Sequence, residues 1–310
     1  MARVIGVMGN ARKDGYTVKV LQEALEGACA ASGVEAELVC LLDYDFGPCR
    51  SCYECIRMAE HRCVRQDDLG ERGQGKLWRK VEAANGLILA TPVHFWSADA
   101  LIHLFVERLY PFLWSGELRG IPVLTVSVAS NQGFQLVANA MLCEWAFTLG
   151  AHYIGGLPVH VAYLAEALRE ARYLGSKLGE AALKDERQGR KAPSDEELWL
   201  EYVDKPWSVL PHYVENLTRG TGDPTRSIIR QALAQSAFKK PEATAFLADA
   251  DKEFERFAEH QSLSEGREAI GALVRASALW THATWKEFLE EQLIKAPPPK
   301  AYRPLDEKRD

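Results

Sequence analysis

No uninterrupted apolar run in this 310-residue chain approaches the roughly 18 residues that a membrane span needs, so no membrane role is expected. The opening Met1-Ala2-Arg3-Val4-Ile5-Gly6-Val7 runs straight into strand-like residues, without the apolar core or cleavage signature of a signal peptide. A cytoplasmic protein is therefore expected, and the Asn216-Leu217-Thr218 sequon is read as accidental. Positive charge is also in short supply. With 37 Lys and Arg against 43 Asp and Glu, the net charge is -6. That argues against a general nucleic-acid binder, which needs a basic surface to displace counterions from phosphates. No internal repeat is evident.

What is present is ordinary globular composition, 47% hydrophobic and 26% charged. At about 100 to 200 residues per domain, two domains are expected. Seven cysteines in a reducing compartment point to metal or redox chemistry rather than a disulfide framework.

Short apolar runs alternate with amphipathic ones through the first half, the pattern of βαβ units in a parallel sheet. Strands are predicted near Arg3 to Val7, Glu37 to Leu41, Gly86 to Ala90, Ile121 to Ser127 and His152 to Leu157. Val18, Leu21, Leu25, Ala28 and Cys29 share one helical face, as do Leu136, Ala140, Cys143 and Phe147. Cys29, Cys40 and Cys143 are accordingly read as small core residues. The result is an α/β fold, a flavodoxin-like doubly wound parallel five-stranded sheet over 1–185. A polar linker is expected at 186–195. An all-α extension follows over 196–295, with helical segments at Asp195 to Val203, Thr225 to Ala237, Pro241 to Ala258, Glu265 to Leu279 and Thr281 to Ile294. Trp199, Trp207, Trp280 and Trp285 are read as its core. A Pro-rich charged tail closes the chain at 296–310.

In a doubly wound sheet the ligand site lies beyond the carboxyl ends of the strands. Three loops qualify: Gly9 to Thr17, Thr91 to Ser97 and Ala129 to Phe134. The first leads from a strand into a helix, so helix amides with Asn10, Arg12 and Thr17 suit one phosphate dianion. It is neither a G-x-G-x-x-G nor a Walker A loop, and an ordinary turn uses the same residue types.

Cys49, Cys52, Cys55 and Cys63 follow the second strand with the spacing C-x2-C-x2-C-x7-C. Three closely spaced thiolates can wrap one corner of a cuboidal cluster while a fourth closes the cage. Zinc, which favours two separated knuckles, and a set of free thiols are the alternatives. His61, Asp67 and Asp68 lie nearby; solvated charges and a helix N-cap are the expected roles, ahead of metal ligation.

Together these motifs resemble the iron-sulfur flavoprotein branch of the NADPH-dependent FMN reductase family, over about Arg3 to Leu183. Gly9 to Thr17 is similar to its G-S-P-R-x-x-G-N-T loop, with Asn10, Ala11 and Tyr16 replacing Ser, Pro and Asn. Cys63-Val64-Arg65-Gln66-Asp67-Asp68-Leu69 is similar to the end of its cysteine loop. Thr91-Pro92-Val93-His94-Phe95-Trp96-Ser97 is similar to its S-P-V-Y-F-G-S loop, with Trp96 in place of glycine. The glycine-rich third loop keeps only Gly133. The resemblance implies FMN contacts at Asn10, Arg12, Tyr16, Thr17 and Val18, at Pro92, Val93, His94, Phe95 and Trp96, and at Ser130 and Asn131. It implies a 4Fe-4S cluster on Cys49, Cys52, Cys55 and Cys63. It further implies a homodimer or homotetramer moving electrons from ferredoxin or NAD(P)H to a small acceptor, with no side-chain general base required. A cluster-free NAD(P)H-dependent FMN or quinone reductase, and a cysteine-based redox or metal sensor acting through the helical extension, are the competing expectations.

Overall fold

Five apolar runs form parallel strands in the computed structural model, which describes residues 1–9, 12, 14–262 and 265–295. These are β1 (Ala2–Met8), β2 (Val34–Cys40), β3 (Gly86–Pro92), β4 (Pro122–Ala129) and β5 (His152–His160). Their order is β2-β1-β3-β4-β5, the flavodoxin-type arrangement expected. β3 and β4 are buried almost throughout because helices cover both faces of the sheet, so they read as continuous apolar runs. β2 lies at the edge, where exposed Glu35 and Glu37 alternate with buried Val34 and half-buried Ala36 and Leu38 and discourage further strand pairing.

The helices of this part are α1 (Tyr16–Cys29), α2 (Glu54–Arg57), α3 (Lys76–Glu82), α4 (Ala100–Arg108), α5 (Tyr110–Ser115), α6 (Gln135–Thr148) and α7 (Leu164–Gln188). α1 and α7 pack together against the sheet through glycines. A Cβ on Gly175 would stand 1.9 Å from the Ala24 carbonyl oxygen, and one on Gly179 2.4 Å from that of Ala28. The two backbones approach so closely that no larger side chain fits between them.

The chain divides into two compact units between Pro193 and Ser194. The expected linker is partly structured: 186–188 are the last turn of α7, and the Arg190 guanidinium donates to Asp185, the Ala84 carbonyl and the Glu117 carbonyl. The second unit is helical, as expected, with α8 (Asp195–Tyr202), α9 (Val209–Leu217), α10 (Ile228–Ala234), α11 (Pro241–Ser262) and α12 (Gly266–Thr284). α12 runs on without a break into π-helical turns at Trp285–Leu289 and Glu291–Lys295, where two separate helices were predicted. α9 was not anticipated. Its Pro211 falls in the first turn, where a missing N–H costs nothing. The tail at 296–310 lies outside the described residues. Among the described residues, no helix is long and apolar enough to cross a membrane.

Three core assignments need correction. Cys29 ends α1 beyond the last residue that the core covers and is exposed. Leu136 is 68% exposed because the first turn of α6 stands clear of the core, and Ala138, Leu142, Cys143 and Ala146 form the buried face instead. Of the four tryptophans in the second unit, only Trp199 is fully buried.

Gly175→Ala should separate α1 from α7 and cost about 1–3 kcal/mol through overpacking. Gly266→Ala, where a Cβ meets open space, should be neutral or slightly stabilising. Urea denaturation of both variants checks this.

Candidate active site

The strand order reverses between β1 and β3, and the loops that follow them meet there. A Cβ on Gly9 would stand 2.0 Å from Asp99 Oδ1, so only glycine lets the first loop lie against this carboxylate. Asp99 is itself fixed. Its Oδ1 accepts from the Leu101 and Ile102 amides, capping α4, and its Oδ2 accepts from the Thr91 hydroxyl at 2.9 Å. The Asp99 amide donates back to Thr91 Oγ1 at 2.8 Å. This reciprocal pair ties the two ends of the second loop together.

Asn10 lies outside the described residues, as do Ala11 and Lys13. Arg12 is exposed. Among the described residues, α1 begins at Tyr16 with no side-chain cap and no acidic residue in its first turn, so its positive end suits an anion. Thr17 is buried at this helix start, Tyr16 is half exposed, and Val18 belongs to the core behind the loop.

In the second loop, His94 and Ser97 exchange amide hydrogen bonds of 2.9 and 3.0 Å around Phe95 and Trp96. Both central residues are left-handed, with φ of 49° and 62°. The resembled motif has glycine at the Trp96 position, and the backbone explains that preference. Trp96 is held there by stacking on Phe134, with ring centroids 4.6 Å apart, and by donating from Nε1 to Gln132. Pro92 and Val93 are half-buried, whereas His94 and Phe95 are exposed. The third loop carries exposed Ser130 and Asn131, with Asn131, Gly133 and Phe134 all left-handed. His160 Nε2 contacts the Asn131 carbonyl at 3.2 Å, and Ser127 Oγ donates to the Gln135 carbonyl at 2.7 Å.

The four motif cysteines come together. Cys49, Cys52, Cys55 and Cys63 all line one cavity of about 230 Å³, walled also by Tyr53, Tyr110 and Pro111. All four are free thiols. Ser51 and Tyr53, on either side of Cys52, are left-handed, which turns the chain sharply enough to present successive cysteines to one void. Burial and the charges of Cys63, Cys49 and Cys52 push the Cys55 thiol up to about 12. Burial likewise raises Cys49, against a hydrogen bond from the Ser51 amide. Ionisation of Cys49 and Cys55 is therefore opposed by burial, and a cationic centre beside them would favour it. Among the described residues, no three His, Cys, Asp or Glu side chains are arranged to hold a metal ion.

A buried ion pair builds this loop. Arg108, in the last turn of α4, donates to Asp67 through both terminal nitrogens, at 2.8 and 2.9 Å, with the side chains 1% and 4% exposed. Arg65 Nε donates to the same carboxylate at 2.6 Å. Burial pushes the Asp67 carboxyl up, but the hydrogen bonds and charges of Arg108 and Arg65 outweigh it and hold the group below the usual carboxylate range. Arg108 also donates to the Gly47 carbonyl at 2.6 Å and to Cys63 Sγ at 3.4 Å. The neighbouring Glu107 accepts from the Cys49 amide at 2.8 Å. Asp67 is thus neither a solvated charge nor an N-cap. His61 is also engaged, with Nδ1 2.8 Å from the Cys55 carbonyl.

Glu107 and Arg108 were missed from sequence. One signal was available: Arg108 continues the apolar face of Ile102 and Phe105 at helical spacing, and a charge on such a face demands a buried partner. The nine residues of α4 span about 13 Å. Its first turn borders the sheet-edge loops and its last turn reaches the cysteine cavity.

Asp67→Ala leaves Arg108 buried without its carboxylate and should cost about 3–5 kcal/mol in urea denaturation. Because the folded Asp67 carboxyl lies below its unfolded value of about 3.9, its contribution is complete above that pH and is lost as pH falls through the folded value. The acid-induced loss of stability should therefore be shallower in the variant.

A family model for NADPH-dependent FMN reductase matches residues 2–165. An iron-sulfur flavoprotein of Archaeoglobus fulgidus is 30% identical over 203 residues, covering 64% of this chain and 87% of that protein. One from Methanocaldococcus jannaschii is 31% identical over 193 residues, covering 57% and 96%. The solved apo form of an NADH:FMN oxidoreductase aligns over 62% of this chain and 95% of its own, with 18% identity and a TM-score of 0.45. Through a family match over more than half its length and relatives matched over most of theirs, this chain belongs to the NADPH-dependent FMN reductase family, in its iron-sulfur flavoprotein branch, and is a flavin-dependent oxidoreductase.

Proposed function

We propose that the protein holds FMN in the sheet-edge crevice and a 4Fe-4S cluster among Cys49, Cys52, Cys55 and Cys63, and passes electrons from ferredoxin or NAD(P)H to a small acceptor. The observation that carries this reading is the convergence of four free thiols on one cavity at the far end of the helix whose N-cap borders the crevice. When bound, the cluster supplies one-electron steps and the flavin one- or two-electron steps.

The side chains have binding and orienting duties. The uncapped start of α1, the Thr17 hydroxyl and the Arg12 guanidinium suit the phosphate. Pro92 to Trp96 and the Ser130–Asn131 turn would flank the flavin ring, their backbone fixed by the Thr91–Asp99 pair and the Trp96–Phe134 stack. Tyr53, Tyr110 and Pro111 limit water around the thiolates, while Arg65 and Arg108 offset their negative charge.

Anaerobically purified protein should show flavin bands, broad absorbance near 400 nm and, for a cubane, about four iron atoms per chain. FMN without iron or sulfide would reject the cluster and leave an NAD(P)H-driven flavin reductase. Arg12→Ala and Thr17→Ala should each weaken FMN binding roughly tenfold, about 1.4 kcal/mol, in a fluorescence titration.

A further inference from the structure

We propose that Arg108 is a positioning residue for the cluster: it holds Cys63, the ligand most distant in sequence, and raises the cluster's reduction potential. This rests on the cluster reading above. The Asp67 carboxylate neutralises the guanidinium but takes only two of its N–H groups, and Arg108 reaches further. Nη1 serves Asp67 and the Gly47 carbonyl, and Nη2 serves Asp67 and Cys63 Sγ. One N–H of a side chain that is 1% exposed is thus committed to a ligand sulfur.

A neutral thiol is a weak acceptor, whereas a metal-bound thiolate is an anionic one, so the contact gains strength when the sulfur is ligated. Cys63 is separated from Cys55 by seven residues, and the fork that joins it to Asp67 and Gly47 fixes its place in the cavity wall. The charge balance has a definite sign. Two guanidiniums, Arg65 and Arg108, share the single Asp67 carboxylate, which leaves net positive charge beside Cys63. Glu107 opposes this at the Cys49 side, but it is exposed and more strongly screened by water. One-electron reduction adds a negative charge to the cluster, and a hydrogen bond with cationic charge at a ligand sulfur favours that reduced form.

The test uses the full chain, purified anaerobically as wild type, Arg108→Lys and the double variant Asp67→Asn/Arg108→Met. The double change removes both members of the buried pair together; because Arg65 keeps the net charge beside Cys63 the same, what it removes is the hydrogen bond to the sulfur. Iron, sulfide and FMN are quantified, and the cluster is titrated potentiometrically. At the wild-type midpoint, the double variant should show a reduced-to-oxidised ratio at least tenfold lower, equivalent to about 59 mV for one electron. Arg108→Lys, which keeps the charge but loses the planar fork that spans carboxylate and sulfur, should lie between the two. A double variant with full iron and a wild-type midpoint overturns the proposal while leaving the cluster reading intact. Wild-type protein without iron overturns both. A double variant that binds FMN but no iron supports the ligand-holding role; a wild-type midpoint in Arg108→Lys then overturns the effect on potential.

Discussion

The bidentate contact between Arg108 and Asp67 organises the part of the molecule that distinguishes it from a bare doubly wound sheet. Between β2 and α3 the chain has only a short 3-10 turn at Leu41–Asp43, the four-residue α2 and another 3-10 turn at Glu71–Gly73. A connection with so little regular structure needs anchors with strong directional bonds. Burying two charges is expensive, but here the carboxylate accepts from two guanidiniums and from the Leu69 amide, so its desolvation is well offset. Further ties secure the periphery. Asp45 and Asp68 exchange hydrogen bonds, and Arg62 joins Glu82 and Glu117 while lying over the Trp78 ring.

The sheet-edge crevice is organised differently. Its rim has bulky side chains on backbone that would suit glycine, at Phe95, Trp96 and Phe134. Such conformations cost of order 1–3 kcal/mol each and persist where surrounding structure enforces them. The enforcement is visible in the His94–Ser97 bridge, the Thr91–Asp99 pair and the stacked Trp96 and Phe134 rings. The result is an aromatic rim held at the mouth of a polar loop cluster.

Much of this was legible in the sequence, and physical reasons separate what was from what was not. The parallel strands announced themselves because burial on both faces requires uninterrupted Val, Ile and Leu runs. The cysteine spacing was legible because successive cysteines are close in the chain, and all four line one cavity. Arg108 and Asp67 are 41 residues apart, and nothing local in Asp67-Asp68 distinguishes a buried carboxylate from a solvated one. Cys29 and Leu136 have the right helical phase but sit at helix ends, where periodicity does not reveal how far the core extends. α9 was hidden because its proline reads as a breaker until the helix start is located.

α4 has a consequence for how this architecture can vary. One end is pinned through Asp99 to Thr91 and the other through Arg108 to Asp67, so it works as a strut of fixed length and phase. Adding one residue would lengthen it by about 1.5 Å and rotate the guanidinium by about 100° away from its carboxylate. Divergence by single steps is therefore barred in the strut, and changes in spacing between the sheet-edge crevice and the cysteine cavity are left to the loops at its two ends.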